Sequence, residues 1–310
     1  MIITALVLWA LLLLIALFVW YVRYVEPYRF EVTRLELRFP DLPAGLDGLT
    51  ITHLSDFHCQ PTGGSRRTSR EAVRLAREAG SDLVLITGDL LDGYDLLEVS
   101  GAQLEGLSAP LGVFAVLGNH DHYCFYASPW RRTPPPPLAQ IKAGFAARGI
   151  ELLSNESRIL ERDGARLAVA GVDDVASGND DLQATLSGVA SADLVVLLSH
   201  SPDVLDYPQA DRADLILCGH THGGQLRLPG LGSPWAPVWR DRRRSSGLMR
   251  AGQALCYVNR GVASATQARW NCRPEVAVLT LRRGLMPPVR EVPVRRPRVA
   301  TTVPIEEVTS

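Results

Sequence analysis

Six of the chain's seven histidines fall in four short blocks: Asp56-Phe57-His58, Gly118-Asn119-His120-Asp121-His122, Ser199-His200 and Gly219-His220-Thr221-His222. With Gly88-Asp89, these blocks offer neutral imidazoles, carboxylates and an amide oxygen, the donor set that borderline divalent cations prefer. Such a set points to metal-assisted hydrolysis.

Each block ends an apolar run. Thr50–Leu54 precedes Asp56, Leu83–Thr87 precedes Gly88, Val113–Val116 precedes Gly118, Leu194–Leu198 precedes Ser199 and Leu215–Cys218 precedes Gly219. Short continuous apolar runs read as strands covered on both faces, and ligands collect at the carboxyl ends of such strands. Asp56 and His222 are therefore expected at one site despite their separation in the chain.

In this order, Asp-x-His, Gly-Asp, Gly-Asn-His-Asp, a lone His and Gly-His-x-His resemble the calcineurin-like metallophosphoesterase superfamily, with the match running from about Thr50 to Leu281. The longer stretches Ser199–Asp203, Gly219–Gln225 and Tyr257–Gly261 resemble its membrane-anchored bacterial branch, which includes UDP-2,3-diacylglucosamine pyrophosphatases. The resemblance implies an α/β fold with a layered β-sandwich core flanked by helices. It also implies two divalent metal ions: one held by Asp56, His58, Asp89 and His222, the other by Asp89, Asn119, His200 and His220. Asp89 bridges both. A hydroxide between the ions would attack phosphorus, His120 would protonate the leaving oxygen or stabilise charge, and Asp121 would orient His120. Mn, Fe, Zn and Co all accept mixed nitrogen and oxygen ligands, so the metal's identity stays open.

Other polar residues carry plainer readings. His53 within a strand and His122 past its block are expected to be structural, and Asp92 to be a loop or capping carboxylate. The five cysteines form no Cys-x-x-Cys pair and are odd in number, so they read as buried small hydrophobes in a reducing compartment.

The first 22 residues carry no charge and end in Trp20 and Tyr21. About twenty apolar residues span a bilayer, and the aromatics sit where an interfacial belt belongs. A cleaved signal peptide would show a basic start, a shorter apolar core and small residues at a cleavage site, none of which is present. A retained single-pass inner-membrane anchor is expected. Arg23, Arg29, Arg34 and Arg38 follow it, which by the positive-inside rule places the catalytic domain in the cytoplasm.

The chain thus divides into an anchor at residues 1–22, a connector at 23–47 with a strand at Phe30–Leu37, a metallophosphoesterase domain at 48–283 and a mobile tail at 284–310. Helical patterns are expected at Ser65–Ala79, Asp95–Leu107, Leu138–Arg148 and Asp180–Val189, and a hairpin across Asp163-Gly164. Thirty-two basic residues balanced by 33 acidic ones give no case for a nucleic-acid partner, and none is expected. Two aromatic–basic stretches, Trp130-Arg131-Arg132 and Trp235–Arg244, suit anionic lipid head groups, although ordinary solvated loops share that composition. The expected partners are the bilayer and a lipid-linked or amphiphilic phosphodiester or pyrophosphate, UDP-2,3-diacylglucosamine in lipid A synthesis being the specific case. The alternative is a broad-range phosphatase or phosphodiesterase acting on cell-envelope substrates. A non-catalytic binding protein of the same fold would lack a ligand position, and none is missing. The oligomeric state is not encoded in these features.

Overall fold

Two six-stranded sheets stacked face to face form the body in a computed structural model, which describes residues 2–60, 63–91, 97–122, 137–238, 241–264 and 266–294. The helices, in chain order, are α1 (Ile2–Tyr24), α2 (Gly64–Ala79), α3 (Leu97–Leu104), α4 (Asn119–His122), α5 (Leu138–Ala146) and α6 (Leu182–Thr185). The strands are β1 (Glu31–Phe39), β2 (Thr50–Leu54), β3 (Leu83–Thr87), β4 (Val113–Val116), β5 (Ile150–Leu152), β6 (Glu156–Arg162), β7 (Ala165–Gly171), β8 (Leu194–Leu198), β9 (Leu215–Cys218), β10 (Gly247–Ala251), β11 (Ala254–Val258) and β12 (Glu275–Arg283).

The first sheet runs β1-β12-β2-β3-β4-β5 and the second β10-β11-β9-β8-β7-β6. Strands β2 to β5 are mutually parallel, as are β7, β8, β9 and β11. Parallel pairing aligns their carboxyl ends, so the loops that follow them gather at one end of the sandwich. The apolar runs are buried on both sides, as expected. Leu85, Val116, Val169, Val196, Leu217 and Leu279 fill the layer between the sheets, while Ala72, Val73, Phe145 and Ile141 pack α2 and α5 onto the first sheet's outer face. Each such leucine or valine withdrawn from water contributes about 1.5–3 kcal/mol, which fixes the spacing of the sheets and hence of the loops they carry.

Local chemistry sets the element ends. Helix α2 presents Ala72, Val73 and Ala76 to the sheet and stops at Gly80, whose φ of 59° suits a residue without a side chain. Asp163 and Gly164, at φ 49° and 78°, form the two-residue turn of the β6–β7 hairpin. The expected helix over Asp180–Val189 is only the turn Leu182–Thr185, capped by the Asp181 carboxylate on Ala184 N at 2.8 Å. Ser187 and Gly188 follow, and both are poor helix formers.

The connector's strand is β1, which pairs with β12 in parallel from Glu31 to Phe39. The expectation of a mobile tail at 284–310 is corrected for its first part. Arg250 N donates to Arg290 O at 2.9 Å, Val292 N donates to Arg250 O at 3.0 Å, and Val292 is buried, so this stretch extends the edge of β10. Residues 295–310, Asp92, Cys124 and the Trp130–Arg132 stretch lie outside the described residues. Cys59, Cys218, Cys256 and Cys272 are buried.

An 18-residue stretch of helix α1 has a mean hydropathy of 3.1 and no residue buried in the protein, while Val22 near the helix end is buried. A helix of 23 residues rises about 35 Å, enough to cross a bilayer.

Candidate metal centre

The turns after β2, β3, β4, β8 and β9 bring all seven expected ligands together. Five of them, Asp56, His58, Asp89, His220 and His222, have φ between 43° and 67°. Left-handed backbone at non-glycine residues costs about 1–3 kcal/mol each. The fold sustains this strain where the turns must reverse sharply and aim side chains inward. Glycine makes room beside them: a Cβ at Gly219 would collide with Ser55 Oγ and the Asp56 carboxylate, and one at Gly118 with Asp89.

Asp89 Oδ2 sits at the centre, 3.4 Å from His58 Nε2 and 3.3 Å from His200 Nε2. On one side, His222 Nε2 lies 3.4 Å from His58 Nε2 and 3.5 Å from Asp56 Oδ1, and ligand atoms of Asp56, His58, Asp89 and His222 all fall within 4.8 Å of one another. On the other side, His200 Nε2 lies 3.2 Å from both Asn119 Oδ1 and His220 Nδ1. Donors bound about 2.0–2.2 Å from a shared cation lie roughly 3.0–3.5 Å apart. Both groups match that spacing, and Asp89 belongs to both.

Tautomers agree with this fit. His200 Nδ1 donates to Thr87 O at 2.7 Å and His222 Nδ1 donates to Ala263 O at 3.1 Å, which leaves each Nε2 lone pair facing the centre. Burial, reinforced by the His200 charge, pushes His220 down to about 3, and burial with His58 nearby holds His222 well below the usual imidazole range. Burial raises the Asp56 carboxyl. Burial would raise Asp89 too, but the facing His200 and His120 hold it well below the carboxylate range, and Asp89 in turn raises His200 against the effect of its burial. The result is an anionic Asp89 oxygen with imidazole nitrogens on both sides, a charge that a cation would balance in place of the proton Asp89 holds on His200.

His120 stands off this set of donors. Its backbone N donates to Asp89 Oδ1 at 2.9 Å, and its ring lies nearly perpendicular to that of His58, with centroids 4.6 Å apart. It lines a cleft of about 470 Å³ together with Asp89, Asn119, His220 and His222.

Asp121 requires a correction. Its carboxylate accepts from Leu91 N at 2.7 Å, Gly118 N at 2.8 Å and Leu90 N at 3.3 Å. Among the described residues its hydrogen bonds all go to main chain, so it ties the loop after β3 to the loop after β4 and does not orient the His120 ring. Burial and the nearby Asp89 charge raise its carboxyl to about 6. His53 bonds Thr87 Oγ1 at 2.9 Å, and burial takes it down to about 3, while His122 bonds Asp173 at 2.6 Å.

Several supporting residues carried no signal in the sequence. Buried Arg269 donates to the carbonyls of Arg260, Gly261, Ala263 and Cys272, and thereby fixes the carbonyl that orients His222. Asn259 donates to His53 O at 3.0 Å and accepts from Gly261 N at 2.7 Å, pinning the loop that packs on Asp56. It lies in the Tyr257–Gly261 stretch, which was the available clue. Gln225, Trp235, Ser264 and Thr266 complete the cleft wall.

The chain is 31% identical over 271 residues to the uncharacterized metallophosphoesterase YkuE of Bacillus subtilis, covering 84% of this chain and 89% of that protein. It is 32% identical over 268 residues to phosphodiesterase YaeI of Escherichia coli, covering 84% and 92%. It is 26% identical over 311 residues to UDP-2,3-diacylglucosamine pyrophosphatase LpxG of Chlamydia muridarum, covering 83% and 90%. The family model for calcineurin-like phosphoesterase matches residues 49–224, a span running from the start of β2 through the last of the histidine turns; the chain belongs to that family and is a metal-dependent phosphoester hydrolase.

Proposed function

We propose that this is a membrane-anchored phosphoesterase with a dinuclear centre, which cleaves a phosphodiester or pyrophosphate in an amphiphilic substrate. The carrying observation is Asp89 Oδ2, within 3.4 Å of imidazole nitrogens from both groups of donors. Asp56, His58, Asp89 and His222 would hold one cation, and Asp89, Asn119, His200 and His220 the other. Two such cations supply Lewis-acid polarisation of phosphoryl oxygens and lower the pKa of water toward neutrality.

The chain's own groups supply the rest. The carboxylates of Asp56 and Asp89 balance positive charge, and the Nδ1 donors of His200 and His222 keep their rings fixed. His120 faces the cleft without belonging to either donor group, so it delivers a proton to the departing oxygen or stabilises charge there. Helix α1 anchors the domain, and the arginines that follow it favour the cytoplasmic side of the inner membrane.

Likeness to LpxG supports UDP-2,3-diacylglucosamine as the specific substrate. A broad-range phosphodiesterase acting on envelope substrates is the second reading, favoured by the greater identity to YaeI, 32% against 26%. The test is turnover by detergent-solubilised full-length protein of nucleotide–lipid pyrophosphates and aryl phosphodiesters, with Mn, Fe, Zn or Co restored singly after chelation. The first reading requires selective, metal-dependent cleavage of the nucleotide–lipid, and faster cleavage of simple diesters favours the second. Metal-independent turnover sinks both.

A further inference from the structure

The cleft wall is continuous with the surface that grips α1. Trp270 meets Phe18 edge to face at 5.4 Å, Arg269 N donates to Val22 O at 3.0 Å, and Arg23 donates to Thr266 O at 3.3 Å. Phe18 lies six residues before the end of α1 at Tyr24, about 9 Å up the helix axis. The domain therefore climbs the apolar helix instead of hanging from its end, with Trp270 packed beside Phe18.

The segment from Gln225 to Trp235 is fastened to Trp270. Trp270 N donates to Gln225 O at 2.9 Å and Arg227 N donates to Trp270 O at 3.0 Å, while Leu228 pairs with Gly232 to close a tight turn. That turn displays apolar side chains: Leu231 is 82% exposed, Trp235 64% and Leu228 40%. Gln225 and Trp235, at the two ends of the segment, are also cleft residues.

Cations adjoin this apolar edge and the end of α1. Arg227, Arg242, Arg243 and Arg290 line an adjoining hollow of about 410 Å³, and Arg243 pairs with Asp241. Just past the helix end, Arg67 stacks over Tyr28 at 4.5 Å, with exposed Arg66 and Arg70 beside it at the start of α2. Apolar side chains ringed by arginine, next to a spanning helix, match an anionic leaflet: hydrocarbon takes the leucines and head-group phosphates take the guanidinium groups.

We propose that the Leu226–Trp235 segment is a second membrane contact, with Leu228, Leu231 and Trp235 seated in the leaflet beside α1, so that the metal cleft opens onto the bilayer and takes a phosphoester whose apolar part stays in the membrane. This rests on the reading of α1 as a span and deepens the substrate class proposed above. Soluble esters reach the cleft from water, whereas amphiphiles reach it along the leaflet, and the leucines serve only the second route.

The test uses the full chain, with Cys124→Ser, reconstituted in vesicles of phosphatidylethanolamine and phosphatidylglycerol. A fluorophore is placed at Leu231→Cys, at Leu12→Cys inside α1, and at Glu161→Cys near the β6–β7 turn at the opposite end of the sandwich. Nitroxide lipids should quench the first two and spare the third. Leu231→Cys as unquenched as Glu161→Cys, with Leu12→Cys quenched, overturns the contact, and an unquenched Leu12→Cys overturns the anchor with it. Disulfide-linked pairs of the Leu231→Cys protein in place of lipid quenching would assign the edge to a second copy of the chain. Leu228→Ser/Leu231→Ser should keep its rate on a soluble aryl diester yet lose about tenfold or more on a two-chain amphiphile in vesicles, and equal rates on both refute the route. Absence of metal-dependent turnover on the soluble ester would count against the site reading alone, because quenching requires no catalysis.

Discussion

The two sheets contribute different chemistry to one centre. The first supplies Asp56, His58, Asp89 and Asn119 from the turns after β2, β3 and β4; the second supplies imidazoles alone, His200, His220 and His222, after β8 and β9. Carboxylate oxygen thus comes from one wall only, and the other gives nitrogen alone. Neither wall completes either group of donors: His222 joins three residues from the first sheet, and His200 and His220 join Asp89 and Asn119. Thr87 links the walls directly, since its carbonyl accepts from Ser55 Oγ at 2.9 Å and from His200 Nδ1 at 2.7 Å. Packing between the sheets therefore sets the metal-site geometry.

Asp89→Ala tests the asymmetry most severely. Without the shared carboxylate two cations would repel at short range, so elemental analysis should find both metals lost and hydrolysis at background. His222→Ala, on the imidazole wall, should empty only the group containing Asp56 and His58. Near-full occupancy in Asp89→Ala, or loss of both metals in His222→Ala, would contradict the division of roles.

His120→Asn should leave metal content intact while slowing turnover by about 10²–10⁴-fold. The defect should shrink for p-nitrophenyl esters, whose leaving group needs no proton. An equal defect on alkyl and p-nitrophenyl esters would assign His120 to charge stabilisation instead.

Arg269→Lys should act through His222, because a single ammonium cannot span four carbonyls. Metal affinity at that group should weaken by about 10–100-fold, with the other metal retained and the circular dichroism spectrum unchanged. Weakening of both metals equally would mean a general loss of packing.

The smallest effect separates structural from ligating histidines. His53 and His220 are both taken down to about 3 by burial, against about 6.5 in an unfolded chain. Between those values the unfolded state binds protons that the folded state refuses, so the chelated protein should lose stability as pH falls from about 6.5 toward 3. His53→Asn should flatten that slope in denaturant titrations without altering metal content. An unchanged slope would deny that His53 is buried neutral.

The residues that meet around Asp89 were legible because each follows a short β-type run, and a run that short and largely apolar is a buried strand whichever sheet it joins. The β6–β7 hairpin was equally readable, since Asp-Gly suits positive φ at both turn positions. Asp121 was misread because its neighbour in sequence is His120, whereas in space it meets the amides of Leu90, Leu91 and Gly118. Arg269 gave no signal, as a single arginine in a loop looks solvated until four carbonyls surround it. The stretch after Pro287 looked unstructured for its Pro and Arg content, yet Val292 finds the edge of β10.

Sequence by itself determined the donor types, the strands that carry them and the apolar N-terminal helix, because these depend on local composition and periodicity. Only tertiary structure decided that Asp89 Oδ2 lies within 3.4 Å of histidines from both sheets, that Asp121 serves the main chain, and that the cleft wall climbs α1 at Trp270. Those facts depend on how the two sheets stack and which turns meet, and the energy that fixes them comes from side chains brought together across the whole chain.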